Sequence, residues 1–321
     1  MKQFKAVSLA VLALAACGAA LAQSTYPSKP VRIIVAYPAG QGTDVATRHF
    51  ANELGKALGQ SFFVENRPGA SGTIGTEAAA RAAPDGYTLT MGTVGSHSMN
   101  EFMYPRLGYD ADKDFEPIIL TGRLPMVLSA NAAFSYSSVP ELIAAAKAKP
   151  DSINIALPSN TARIVFELFK QRSGAPVFGV AYKGSASAMT DVVGNQVPLT
   201  IDTITATRTL MQSGKLKPIG ITSLKGSELL PGVKSFAEQG LAGFEVTAWN
   251  ALYAPKGTPK AIVDLLNAEM AKIIAQPETR AHLLQLGFEP ASGTPQQLAE
   301  FGRSERVKWG ALIKAAGIKA D

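Results

Sequence analysis

Residues 31–58 read VRIIVAYPAGQGTDVATRHFANELGKAL, and the handover in the middle of this stretch decides the fold. The apolar, β-branched run VRIIVAY (31–37) predicts a strand. Ala46, Phe50, Leu54 and Leu58 recur at four-residue spacing and predict one apolar stripe along a helix. Two glycines, a threonine and an aspartate join the two.

The same phrase recurs along the chain. SFFVENR (61–67), YTLTMGT (87–93), INIAL (153–157), VFGVAY (177–182), VPLTIDT (197–203) and LKPIGIT (216–222) read as strands. ELIAAAKA (141–148), ARIVFELFKQ (162–171) and SASAMTDVV (185–193) read as helices, the last two short. Alternation at this spacing predicts an α/β protein with parallel sheets built from βαβ units. From Thr258 onward the pattern is helical, over 259–276, 277–287 and 294–317. Two long extended segments, 117–134 and 244–257, flank the central block and read as paired hinge crossings. The expected division is a first domain from 23–125 and 249–321, a second from 126–248, and a ligand cleft between them. No internal repeat is visible, which excludes a solenoid.

The chain has 321 residues and a net charge of +6; removing Lys2 and Lys5 with the leader leaves +4. Basic residues form no block and do not interleave with aromatics, so nucleic acid is not an expected partner. MKQFK followed by AVSLAVLALAACGAA and Ala20-Leu21-Ala22 reads as an export signal over residues 1–22. The rival reading is a lipobox, Leu14-Ala15-Ala16-Cys17, with a lipidated Cys17. Cys17 is the only cysteine, so cleavage after Ala22 leaves none for disulfide, thiolate or metal chemistry. No later stretch approaches spanning length, which predicts a soluble periplasmic chain.

The loop Tyr37-Pro38-Ala39-Gly40-Gln41-Gly42-Thr43-Asp44 ends a strand and opens a helix, so free backbone N–H groups form an anion site. Gly40 and Gly42 let a ligand approach the backbone, and Thr43 caps the helix or donates its hydroxyl. No lysine follows to hold outer phosphates, and Gly40 to Val45 does not complete the dinucleotide fingerprint. Asp44 supports the helix dipole but repels a polyphosphate. A small carboxylate suits this loop, the alternative being a capped turn with no ligand. Asn66 to Gly75 is a second glycine-rich junction, Gly92 to His97 a third, and Tyr182-Lys183-Gly184-Ser185 a fourth in the second domain.

These stretches, quoted at full length as VRIIVAYPAGQGTDVATR, VENRPGASGTIGTEAAARAAPDGYTLTMGTVGSHSMN, YKGSASAMTDVVGNQVPLTIDT and WNALYAPKGTP, together resemble one known family. It is the periplasmic solute receptors of tripartite tricarboxylate transporters, the Bug family, and the resemblance covers essentially the whole mature chain. It implies a two-domain periplasmic binding protein fold of type II-like organisation and capture of a small carboxylate. The carboxylate is expected at the first and third loops, partly through bridging water. The positions carried over are Tyr37, Ala39, Gly40, Gln41, Gly42, Thr43 and Asp44, then Thr93, Ser96 and His97. From the second domain they are Lys183, Gly184, Ser185 and Asp202. The expected partners are the carboxylate and membrane transporter subunits, with a monomeric receptor and no cofactor. The chain departs from the family after INIA, where Leu157 to Arg163 replaces a flexible glycine-rich loop. Ser159, Asn160 and Thr161 are good N-cap types, with Ser159 and Thr161 also expected at the ligand, so Arg163 is expected in a first helical turn. There it is either a bidentate fork for a second carboxylate or a surface residue.

The rival chemistries lack their constellations. His49, His97 and His282 have no metal-ligand spacing, and no Gly-x-Ser-x-Gly elbow is present. Asp202 reads as a base, a group that orients water or a ligand amine, or a helix cap. Trp249 lines the cleft or sits in the core. The expected function is a non-enzymatic receptor that captures a carboxylate for a transporter. The alternatives are an exported α/β hydrolase or isomerase, and a ligand sensor for a signalling system.

Overall fold

The computed structural model describes residues 26–317, so the export signal with its Ala22 and Cys17 readings lies outside the described residues. β1 (Val31–Val35), α1 (Gly42–Leu58), β2 (Phe62–Asn66), α2 (Thr73–Ala80) and β3 (Thr88–Thr93) open the chain. A π-helical turn over Gly95–Met99 then runs into α3 (Asn100–Met103) and the long strand β4 (Phe115–Asn131). There follow α4 (Val139–Ala148), β5 (Asn154–Leu157), α5 (Asn160–Ser173), β6 (Phe178–Ala181), α6 (Ser185–Val193), β7 (Leu199–Thr203), α7 (Ile204–Gln212) and β8 (Leu216–Ile221). The chain returns through β9 (Thr247–Pro255) to α8 (Lys260–Ala275), α9 (Pro277–Gln285), β10 (Glu289–Pro290) and α10 (Pro295–Ala316).

Strand pairing divides these elements into two halves with one plan. The first sheet runs β2-β1-β3-β9-β4 and the second β6-β5-β7-β4-β8. In each, three parallel strands meet an antiparallel strand arriving from the other half. β4 belongs to both sheets: its last pairing with β9 is Pro125 with Thr247, and Met126 already pairs with Thr203 of β7. The return crossing lies beside it, since the Val246 N–H still donates to Thr222 O of the second half. The halves are therefore stitched by two adjacent strands, as the paired extended segments predict, and every strand–helix loop of interest sits at a strand's carboxyl end.

α1 illustrates how the helices hold to the sheets. It buries Ala46, Phe50, Ala51 and Leu54 in one cluster with Val31 and Ile33 of β1 and Leu266, Met270 and Ile273 of α8. Leu58, expected in the stripe, is only half-buried, because 3.6 residues per turn carries a strict four-residue row off the face. Each fully buried Phe or Leu contributes about 1.5–3 kcal/mol. The helix ends at Gly59, whose φ of 68° suits the left-handed cap. α5 is longer than ARIVFELFKQ suggests. The Ser159 hydroxyl accepts from the Ala162 N–H and starts the helix on Asn160 and Thr161, weak formers in themselves. α2 and α7 are further helices beyond those read from periodicity.

α10 opens on a capping box, Thr294 with Gln297, with Pro295 in its first turn. It packs on β4 and the π-helical turn of one half and on α5 of the other. Glu305 of this helix is buried, and its Oε2 accepts from Trp249 Nε1 at 3.0 Å and Trp309 Nε1 at 2.9 Å. The return strand is thus tied to the helix that spans both halves.

Candidate functional site

Between the two sheets opens a cavity of about 520 Å³. The β1–α1 loop contributes Tyr37, Gln41 and Thr43, the second glycine-rich junction Ser71, and the segment after β3 contributes Thr93, Val94, Gly95, Met99, Asn100 and Met103. The second half contributes Ser159, Asn160, Thr161 and Thr203. Leu124 and Met126 of β4, with Ala248, Trp249 and Asn250 of β9, form the crossing between them. A larger groove of about 810 Å³ runs along the outer face of α10 past Phe102, Val307 and Lys314. No strand-end loop reaches it, so the interlobe cavity is the stronger site.

The first loop is built to present donors. Gln41 precedes α1 with extended backbone, and no side chain caps the helix. Among the described residues nothing accepts from the N–H groups of Gly42, Thr43 or Asp44; the first helical bond is Val45 N–H to Gln41 O. Three open amides with the positive helix end suit an anion. The Asp44 side chain does not border the cavity, contrary to its expected place there. Its carboxylate turns back into the loop, accepting from Gly40 N at 2.8 Å, Asn66 Nδ2 at 2.8 Å and Arg48 Nε at 3.1 Å. Burial opposes its ionisation, but the Arg48, Gly40 and Asn66 donors outweigh this and hold the carboxyl below its ordinary value. Arg48 in turn donates to Asn66 Oδ1 at 2.8 Å, so the loop is cross-braced from beneath. Ala39, Gly40 and Gly42 are exposed and do not border the cavity.

Hydroxyls complete this side. Tyr37 Oη and Thr93 Oγ1 lie 2.7 Å apart. Burial raises the Tyr37 hydroxyl above its ordinary value, so it remains a proton donor at neutral pH. The ring is clamped by glycines: a Cβ on Gly72, at φ 90°, would stand 3.1 Å from Tyr37 Oη, and one on Gly95 would stand 3.0 Å from it. Asn250 Nδ2 donates to Thr43 Oγ1 at 3.1 Å, fixing that side chain from the return strand.

Ser96 and His97 are placed otherwise than expected. The Ser96 hydroxyl lies 2.8 Å from His97 Nδ1 and accepts from the Thr93 N–H at 3.0 Å. His97 is buried beneath the third loop, stacked 4.2 Å from the Tyr253 ring and tilted against Phe115 at 4.8 Å. Burial pushes its imidazole down to about 3, with Arg306 adding to the shift. A neutral ring in the core offers no cation to a ligand.

In the second half, Ser159 and Thr161 reach the cavity but Arg163 does not. Ala162, Ile164 and Val165 turn inward, which leaves Arg163 exposed on the opposite face. Lys183 is exposed, and with Gly184 and Ser185 it lies off the wall. Asp202 is buried behind Thr203: its Oδ1 accepts from the Thr203 N–H at 2.7 Å, while Oδ2 has no partner. Burial pushes its carboxyl above the ordinary value, with Ser185 and Thr203 partly opposing this.

Asn160, Thr203, Asn250 and the methionines of the wall escaped the sequence reading. Asn250 had a signal: it is the one polar side chain in the apolar run AWNALYA. Trp249 is both core and wall, fully buried yet bordering the cavity. Among the described residues no group of three or more His, Cys, Asp or Glu is placed to hold a metal, and no helix is long and apolar enough to cross a membrane.

Comparison with known proteins places this architecture. Protein BugT of Bordetella pertussis is 34% identical over 322 residues, covering 99% of each chain. The solved structure of R. palustris Rpa4515 with adipate superposes with a TM-score of 0.77 at 34% identity, over 92% of this chain and 99% of that one. MatC from Rhodopseudomonas palustris with bound malate gives 0.70 at 31% identity, over 90% and 100%. Residues 46–318 match the model of the tripartite tricarboxylate transporter family receptor. With its paired sheets, interlobe cavity and near full-length relatives, the chain belongs to the tripartite tricarboxylate transporter receptor family, a family of solute-binding proteins rather than enzymes.

Proposed function

We propose that this receptor captures a small organic carboxylate in the interlobe cavity, in the periplasm, and hands it to membrane transporter subunits. The observation that supports this most is the uncapped start of α1, whose Gln41 and Thr43 border the cavity beside the Tyr37 and Thr93 hydroxyls and whose first amides have no acceptor. Such a set binds an anion through neutral donors, each charge-assisted bond contributing about 1.5–3 kcal/mol. The adipate and malate of the two R. palustris relatives are both carboxylates, which agrees with this chemistry. Export by removal of residues 1–22 is part of the proposal, as is a monomeric state.

Signalling to the transporter follows from closure. Residues 26–125 with 247–317 move as one lobe against 126–246, pivoting where β4 changes sheets. A ligand touching both lobes shifts the equilibrium toward the closed form, which the transporter reads. The test is a thermal-shift screen of the mature receptor over a carboxylate library, with solute recovered afterwards for mass analysis. A rise in melting temperature with unchanged solute is expected. No carboxylate raising the melting temperature, or conversion of the solute, would contradict the reading.

A further inference from the structure

A second cavity, of about 240 Å³, lies behind the third loop, where the start of α10 meets the end of β9 and the entry to β4. It shares no lining residue with the interlobe cavity. Tyr253 forms part of its wall and is only 5% exposed. Its ring is held by His97 at 4.2 Å and Phe115 at 6.2 Å, which fixes where the hydroxyl points. Among the described residues that hydroxyl has no hydrogen-bond partner, although a buried phenol normally finds one. Burial raises it above its ordinary value, so it keeps a proton to donate.

The charged groups of the wall leave one cation over. Arg306 of α10 is held by Asp112 at 2.5 Å, with Glu101 at 3.8 Å from outside the wall. Lys256 pairs with Glu116 at 3.0 Å. Arg303, one turn before Arg306 on the same face of α10, has no carboxylate partner among the described residues. The start of the helix adds a further donor. Thr294 caps the Gln297 N–H and Pro295 has none, but nothing described accepts from the Gln296 N–H. Pro295 and Gln296 both border the cavity, so the positive end of a 22-residue helix opens on it. An entering cation would meet three cations, whereas an anion meets two carboxylates that already face their own cations.

We infer that this cavity is a second anion site, which takes a small oxyanion against Arg303, the Tyr253 hydroxyl and the Gln296 amide. A planar guanidinium, a phenol and a helix-end amide converge as donors on one group with several oxygens. The ion ties α10 to the return strand, as Glu305 does deeper in the same helix through Trp249. The inference stands apart from the carboxylate reading of the interlobe cavity, since neither site needs the other.

Calorimetric titration of the mature receptor with sodium phosphate, sodium sulfate and sodium acetate, at constant ionic strength, tests the site and separates inorganic from carboxylate occupants. At least one of the three is expected to bind. That binding should weaken at least tenfold in Arg303→Ala, whose side chain is exposed and dispensable for folding. It should weaken at least threefold in Tyr253→Phe, which keeps the ring and removes only the hydroxyl. Thr43→Val, at the interlobe cavity, is expected to leave it within twofold. Binding of none of the three, or binding that Arg303→Ala leaves unchanged, overturns the inference. Binding lost in Thr43→Val does so too, because it places the ion on the α1 loop. The carboxylate thermal shift is expected to persist in Arg303→Ala, and its absence from the wild type would contradict the interlobe reading alone.

Discussion

The two lobes share one strand order and differ in how their loop ends are finished. Asp44 and Asp202 show the difference most clearly. Both are buried carboxylates at the cleft end of their lobe. Asp44 accepts from Gly40, Asn66 and Arg48 and stiffens the loop that opens α1. Asp202 satisfies one oxygen on Thr203 and leaves the other without a partner. In the same way α1 starts uncapped, whereas α5 and α7 are capped by their own Ser159 and Thr203. Repetition of a fold therefore does not repeat its chemistry.

Asp44→Ala should break the comparison most severely. It strands the Gly40 and Asn66 donors and removes the partner of Arg48, at a cost of about 1.5–3 kcal/mol for a charge-assisted network. Chemical denaturation at pH 7 measures it. The folded pKa of Asp44 is lowered, so its contribution is present above the ordinary value of 3.8 and lost as pH falls through the lowered value. The stability gap between wild type and variant should accordingly close in acid. A gap that persists there would mean the carboxylate's charge is not what braces the loop.

Asp202→Asn should act in the opposite direction. The raised folded pKa means that wild-type stability declines as pH rises from 3.8 through the raised value, because folding then opposes ionisation. The isosteric amide keeps an acceptor for the Thr203 N–H and removes that penalty. The variant is expected to melt at or above wild type at pH 7, with the advantage shrinking toward acid. A lower melting temperature at pH 7 would show that the orphan oxygen has a stabilising partner.

A smaller effect separates the two sides of the cavity. Thr43→Val should weaken the preferred carboxylate about tenfold, roughly 1.4 kcal/mol, while Thr161→Val should cost less than threefold. Equal losses by calorimetry would erase the asymmetry. Smallest of all, Arg163→Ala should leave affinity within twofold, since the side chain is exposed and off the wall. A larger loss would return a cation to the site.

Much of this architecture was legible because it rests on periodicity. The β4 and β9 crossings announced themselves as long extended segments between βα blocks, and the β1–α1 loop as glycines between a strand and an apolar stripe. Side-chain direction was less readable. His97 follows a Gly-Ser turn as an anion donor would, yet stacking on Tyr253 and packing against Phe115 take it into the core. Arg163 lies in a first helical turn as expected, but its angle about α5 depends on which neighbours pack. Asp44 looked like a wall residue because sequence does not show Asn66 and Arg48 converging on it from beneath. Met99, Met103 and Met126 border the cavity only through the turn after β3 and the crossing strand, a juxtaposition no local pattern encodes.

The central claim is that the α1 amides, and not the second lobe, hold the carboxylate. Backbone ¹H–¹⁵N spectra of the mature receptor, titrated with the carboxylate that most raises its melting temperature, test it directly. The largest downfield amide shifts are expected at Gly42, Thr43 and Asp44, with smaller changes at Asn160 and Thr161. Dominant shifts at Asn160 and Thr161, with Gly42 to Asp44 unmoved, would contradict it.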